Sequence, residues 1–134
     1  MQNKSLSKDY IKRCQSRLKA LEVLYKDESW ADVVRESQEV VELAMKALLR
    51  QFNIEVPRIH DVSEIMNSEQ KKFPSSLVKS FAQLTKISKS LRRDRELSFY
   101  GSEDLTPSDF YSKSDAKEAK DSANYVVETI KPHI

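Results

Sequence analysis

The stretch SWADVVRESQEVVELAMKALLRQF, residues 29–52, decides the fold of this chain. Its apolar and small residues recur at alternating steps of three and four, which is the period of an α-helix. They cover more than half of the helix circumference, so several neighbouring elements must pack against it. Ser29 and Asp32 form the pattern of an N-terminal capping box. We therefore predict a central helix of about 36 Å, from a rise of ~1.5 Å per residue.

The composition favours long helices. Among 134 residues there are one glycine and four prolines, too few turn-forming residues for a many-stranded sheet. The one cysteine, Cys14, excludes an internal disulfide and a cysteine zinc cluster, and its place on an apolar helical stripe indicates a core residue. There is no apolar run of membrane-helix length and no signal-peptide pattern, so we expect a cytoplasmic protein.

Four further helices are predicted around the central one. Their approximate ranges are 7–26, 61–73, 75–95 and 112–130. A connection of only three residues makes the first of them an antiparallel neighbour of the central helix. Ser112 and Asp115 form a capping box at the start of the last helix. Residues 97–111, which include Gly101, are predicted to form an irregular loop.

The C-terminal end of the predicted fourth helix is rich in cations. Its positive side chains are Lys86, Lys89, Arg92, Arg93 and Arg95. Cations in this position complement the helix macrodipole, which is a purely structural explanation. Alternatively, the arginines offer paired donors to a phosphate group, and Tyr100 stacks on or hydrogen-bonds the same ligand. In a third explanation, the acidic segment 103–121 neutralises these cations, either within the fold or across a dimer.

Few other residues suggest chemistry. Arg35, Glu39 and Glu42 lie on one side of the central helix. They form either a solvated face or partly buried support for the basic site. Glu42 is also predicted to pair with Lys46, one helical turn further on. The two histidines have no metal-binding spacing, and there is no glycine-rich phosphate loop. We predict no metal and no cofactor.

Residues 33–66, VVRESQEVVELAMKALLRQFNIEVPRIHDVSEIM, resemble the core of HEPN domains. The matching features are a glutamine and a glutamate before Lys46-Ala47-Leu48-Leu49, an isoleucine–proline loop, and His60-Asp61. Downstream, Arg92-Arg93-Asp94-Arg95, Phe99-Tyr100-Gly101, and Tyr111-Ser112 before Asp115-Ala116 follow in the family's order. The resemblance covers about residues 7–130.

This resemblance implies an all-α fold, an up-and-down bundle of four to five helices, in a single domain of residues 1–134. It also implies a homodimer with its active groove at the interface. Many members of the family pair with a small nucleotidyltransferase in toxin–antitoxin or defence modules. Others cleave RNA without a metal, using an arginine followed four to six residues later by a histidine.

That arginine–histidine motif is incomplete in this sequence. No histidine follows Arg92, Arg93 or Arg95 at the required distance, and Tyr100 stands five residues after Arg95. A phenol, with a pKa of about 10, transfers protons poorly at neutral pH.

We therefore expect a non-catalytic, homodimeric protein that binds a nucleotide, RNA or a small nucleotidyltransferase. The expected ligand-binding residues are Arg35, Arg92, Arg95 and Tyr100, and no catalytic residue is assigned. The alternatives are a metal-independent ribonuclease that uses Arg95, and a purely structural subunit.

Overall fold

The structure, a computed structural model, describes residues 2–56, 58, 62–100 and 106–134, and their side chains except those of residues 2 and 93–100. These ranges form seven α-helices and no β-strand. The helices are α1 (Gln2–Lys26), α2 (Trp30–Gln51), α3 (Val62–Ser68), α4 (Ser75–Val78), α5 (Phe81–Tyr100), α6 (Pro107–Phe110) and α7 (Lys113–Ile130). Gln70–Lys72 and Lys131–His133 form short 3₁₀ turns.

Helix α2 is the centre of the bundle, as its sequence predicts. It packs against α1, α5 and α7, the other three long helices. Its fully buried side chains include Val33, Val40, Leu48 and Leu49, which contact different neighbours because they point in different directions around the helix. The all-α, up-and-down bundle predicted from the sequence is therefore confirmed.

The contact between α1 and α2 follows a seven-residue step. Ser7 Oγ donates a hydrogen bond of 2.8 Å to the carbonyl oxygen of Ala47, and Cys14 Sγ donates one of 3.6 Å to that of Val40. Leu21, one further step along α1, is completely buried. The partner numbers fall as the α1 numbers rise, so the helices are antiparallel. The small Ser7 and Cys14 side chains allow the two backbones to approach closely.

Cys14 is a core residue, as predicted. Its side chain is completely buried, and this burial raises the pKa of its thiol to about 12. The thiolate, which is the nucleophilic form, is therefore not populated at neutral pH.

Three aromatic rings connect the end of α2 to the start of α5. The ring centroids of Phe52 and Phe73 are 4.9 Å apart, and those of Phe73 and Phe81 are 5.2 Å apart. These separations are typical of favourable aromatic pairs. Because Phe81 opens α5 beside the end of α2, α5 runs antiparallel to α2, and its C-terminal half passes the N-terminal half of α2.

The ends of the helices agree only partly with the predictions. The Ser112–Asp115 capping box is present in full, and Asn53 ends α2 with the positive φ of 57° that favours asparagine. The Ser29–Asp32 box is not formed. Ser29 Oγ donates to Asp32 Oδ2 at 2.7 Å, so its hydroxyl is used by the neighbouring side chain and not by the helix backbone.

The prediction of one irregular loop over residues 97–111 is wrong. Helix α5 continues to Tyr100, because no glycine or proline interrupts the sequence before Gly101. After residues 101–105, which lie outside the described part, α6 begins at Pro107. Thr106 caps this helix by accepting a hydrogen bond from the Asp109 backbone N–H, and proline is well suited to the first helical position.

The predicted fourth helix is also divided. Four of its residues form α4, and α5 begins at Phe81. Helix α1 starts at Gln2, earlier than predicted. Arg50 Nη1 donates a hydrogen bond of 3.2 Å to Asn3 Oδ1, so its first turn is attached to the end of α2.

Replacing Leu48 by alanine tests the central position of α2. Leu48 is completely buried, so Leu48→Ala leaves a cavity and is expected to lower the free energy of unfolding by about 2–5 kcal/mol. Urea denaturation measures this loss. Val23→Ala is the matched control, because Val23 is 67% exposed, and its effect is expected within about 0.5 kcal/mol. Equal effects of the two substitutions would contradict the assignment.

Candidate functional site

The antiparallel packing of α5 on α2 brings polar residues of both helices together. They line a cavity of about 10 Å³, to which Val62 of α3 also contributes. The lining residues of the two long helices are Gln38, Val41 and Glu42 from α2, and Ser88, Leu91 and Arg92 from α5. Arg35 and Arg92 are the two predicted ligand-binding residues whose side chains the structure describes, and of these Arg92 lines the cavity. We call Gln38, Glu42 and Arg92 the polar cluster.

Glu42 is a partly buried carboxylate whose two oxygens are both engaged. Oε2 accepts a hydrogen bond of 2.9 Å from Gln38 Nε2, and Oε1 lies 3.0 Å from Lys46 Nζ. Burial raises the pKa of Glu42, but these hydrogen bonds and the charges of Lys46 and Arg92 outweigh it, so the pKa lies below its ordinary value. Glu42 therefore carries a negative charge at neutral pH, and the predicted pairing with Lys46 is confirmed.

Gln38 is the one member of the polar cluster that the sequence analysis did not select. Its side chain is only 2% exposed, and its Oε1 has no hydrogen-bond partner in the described part of the chain. The sequence offers one signal for this burial, a polar residue on an otherwise apolar face of the helix. The same pattern also occurs where a polar side chain at the edge of such a face is exposed to solvent, and the packing of α5 shows that Gln38 is buried instead.

Arg92 is the cation of the polar cluster. It is exposed, and it forms no ion pair with another residue whose side chain is described. Its charge nevertheless reaches Glu42, whose pKa it helps to lower. The five N–H donors of a guanidinium group are therefore present at the surface of the bundle, next to an ionised carboxylate.

Arg35 is placed in a different set of contacts. Its Nη2 lies 3.7 Å from Glu36 Oε2. Glu36 also accepts a hydrogen bond of 2.6 Å from Arg17 Nη1, which links α2 to α1. Arg35 precedes Gln38 by about one helical turn on α2, but it does not line the cavity beside Arg92.

The other two predicted ligand-binding residues belong to α5. Arg95 follows Arg92 by about one helical turn, and Tyr100 is the last residue of the helix. Tyr100 is thus helical and not part of a loop. The side chains of Arg95 and Tyr100 lie outside the described part, as does His60.

The remaining cations of α5 do not all lie on the side of Arg92. Lys86 lines a groove of about 290 Å³ between α5 and α7, where Asp115 and Glu118 also contribute. Lys89 Nζ lies 3.9 Å from Glu64 Oε1 of α3. The acidic residues of α7 therefore accompany Lys86, and not Arg92.

Two further properties concern the class of site. Within the described ranges, no three histidine, cysteine, aspartate or glutamate side chains are arranged to hold a metal ion. In the same ranges, no helix combines the length and the apolar character needed to cross a membrane.

Comparison with known proteins gives one family. The family model described as HEPN domain matches residues 7–133, which is nearly the whole chain. No curated protein and no solved structure matches the chain. The family match agrees with the helical bundle and confirms the resemblance seen in the sequence.

Measuring the pKa of Glu42 tests the geometry of the polar cluster. We expect the pKa of Glu42 to lie below the ordinary 4.5. It is measured from the NMR shift of the side-chain carboxyl carbon as the pH is varied. Because the pKa is lower in the folded state, the stabilisation from Glu42 is present above the ordinary pKa and is lost as the pH falls through the lowered value. Arg92→Ala should raise this pKa, whereas Arg13→Ala on α1 should not. An unchanged pKa in Arg92→Ala would show that the two groups do not interact.

Proposed function

The chain belongs to the HEPN domain family, and on that premise we propose that it binds a phosphate-bearing ligand, a nucleotide or RNA, without cleaving it. The family is compatible with a function that involves nucleotides or RNA. The proposed site is the C-terminal half of α5, with Arg92 as its central cation. Arg95 and Tyr100, further along the same helix, are proposed to extend it, and Arg35 is proposed to lie at its edge on α2.

The proposal rests on the exposure of Arg92 and on its lack of an ion-pair partner among the residues whose side chains are described. Its guanidinium group is exposed and forms no ion pair in the described part of the chain. The neighbouring carboxylate, Glu42, already interacts with Gln38 and Lys46. Among the residues whose side chains are described, none occupies the donors of Arg92 in an ion pair. A guanidinium group matches the geometry of a phosphate with two parallel hydrogen bonds.

The proposal of binding without cleavage depends on the missing histidine. Metal-independent cleavage of RNA requires a group that accepts and donates a proton near neutral pH. Histidine has a suitable pKa, but no histidine follows the arginines of α5 at the family's spacing. Tyr100, the residue that stands there, favours contact with a base or a phosphate over proton transfer.

Family membership also supports proposals about partners. We propose a cytoplasmic homodimer that associates with a small nucleotidyltransferase in a toxin–antitoxin or defence module. The apolar residues of α2 are largely buried within one chain, so they do not support the dimer. The exposed Phe110 and Tyr125 side chains and the family itself remain as support.

The homodimer has a simple test. Light scattering of the purified chain at micromolar concentration should give about twice the mass of 15.5 kDa calculated for one chain. Dilution should shift the mass toward the monomer, because association depends on concentration. A monomeric mass that does not change with concentration would contradict the dimer.

Titration with fluorescently labelled RNA and nucleotides tests ligand binding. Arg92→Ala should weaken binding about tenfold or more, because a charge-assisted hydrogen bond to phosphate is lost. The affinity should fall as salt concentration rises, because binding releases counterions from the RNA. Arg13→Ala removes an arginine of α1 that is also exposed and should change the affinity little.

Incubation of the protein with RNA in EDTA separates binding from cleavage. We expect intact RNA over the time in which binding is complete. Cleavage that disappears in Arg95→Ala or Tyr100→Phe would establish the metal-independent ribonuclease instead. If neither RNA nor nucleotides bind, with or without a nucleotidyltransferase, the purely structural subunit is the remaining function.

A further inference from the structure

A buried acceptor beside Arg92 needs an explanation. Gln38 is 2% exposed, yet its Oε1 has no hydrogen-bond partner in the described ranges. Leaving a buried acceptor without a donor is unfavourable, because the group has lost its hydrogen bonds to water. Such groups are rare in native proteins and often accompany an ordered water or a function.

The orientation of the Gln38 amide is fixed by its neighbour. Nε2 donates to Glu42 Oε2 at 2.9 Å. An ionised carboxylate only accepts hydrogen bonds, so turning the amide over would place two acceptors against each other. Oε1 must therefore remain on the other side of the amide, where it needs a donor.

Arg92 is the donor-rich group that shares the cavity with Gln38. The cavity volume of about 10 Å³ is at the lower end of what a cavity needs to hold one water molecule. A single water molecule in this cavity, or a rotation of the guanidinium group into it, would connect an Arg92 N–H to Gln38 Oε1. The negative charge of Glu42 attracts the same guanidinium group.

We infer that Gln38 and Glu42 are positioning residues for Arg92, which they hold in one place on the surface of α5. The connection runs from Lys46 through Glu42 and Gln38 to the cavity beside Arg92. An arginine side chain has several rotatable bonds, and their immobilisation on binding costs free energy. If Arg92 is already ordered before the ligand arrives, this cost is smaller. The consequence for ligand affinity rests on the proposed function, whereas the ordering of Arg92 does not.

The opposite role for Glu42 makes the inference falsifiable. A carboxylate beside an anion site competes with the ligand for the arginine and repels phosphate. If that competition dominated, removing the charge of Glu42 would strengthen the binding of RNA. Positioning requires the reverse, a weaker affinity although the site has become more positive.

NMR of the Arg92 Nε–Hε group in the full chain tests the ordering directly. We expect a slowly exchanging, rigid signal in the unaltered protein, and faster exchange with greater mobility in Glu42→Gln and in Gln38→Met. Glu128→Gln, which removes an exposed acid at the far end of α7, should leave the signal unchanged. Equal mobility in the unaltered protein and in both cluster variants would overturn the inference.

Thermal unfolding and RNA titration complete the experiment. Gln38→Met removes the unpaired acceptor and should leave the melting temperature unchanged or raise it. If this variant does not fold, Glu42→Gln decides alone. Each folded variant should bind labelled RNA about two- to tenfold more weakly, and stronger binding by Glu42→Gln would overturn the inference. If the unaltered protein binds no RNA, the proposed function fails. The NMR signal of Arg92 still shows whether Gln38 and Glu42 hold its side chain in place.

Discussion

The burial of α2 is the constraint on which the rest of the structure depends. Three long helices pack against it, so its apolar side chains must occupy most of its circumference. Close packing then restricts the neighbours. On α1, Ser7 and Cys14 are small, and both donate hydrogen bonds to carbonyl oxygens of α2. On α7, Ala116, Ala119 and Ala123 are buried. These positions have little space for larger side chains.

The same constraint determines where polar groups of α2 are tolerated. Most of them are only partly buried, and ion pairs such as that of Glu42 with Lys46 are partly open to solvent. Gln38 is different, because α5 covers it. The aromatic contacts through Phe73 fix the start of α5, and its direction then brings Arg92 beside Gln38 and Glu42. The packing of the bundle thus assembles the polar cluster from residues more than forty positions apart.

Much of the fold is accessible from the sequence because it follows from periodicity and local capping. The stripe of α2, the core position of Cys14 and the Ser112–Asp115 box each depend on residues close together in the chain. The C-terminal extension of α5 was missed because the aromatic residues before Gly101 are typical of both loops and helices. The short helix α6 was missed because its capping residue, Thr106, lies in a sequence rich in polar and turn-forming residues.

The candidate site is less accessible from the sequence, because it depends on which face each side chain occupies. Lys86 and Arg92 appear in one basic run, but they lie beside different helices. Arg35 shares a side of α2 with Glu42, yet its guanidinium group lies 3.7 Å from the carboxylate of Glu36. The burial of Gln38 depends on the neighbours that pack against α2, which include α5 and α3. The roles of Arg95 and Tyr100 remain predictions from spacing and from the family.

We propose that α2 and α5 together form a phosphate-binding surface around Arg92. The most direct measurement is residue-by-residue mapping of backbone NMR shifts while a short RNA is added. We predict that the largest changes occur around Arg92 on α5 and at Gln38 and Glu42 on α2. Changes confined to the groove that contains Lys86, Asp115 and Glu118, or no changes at all, would contradict it.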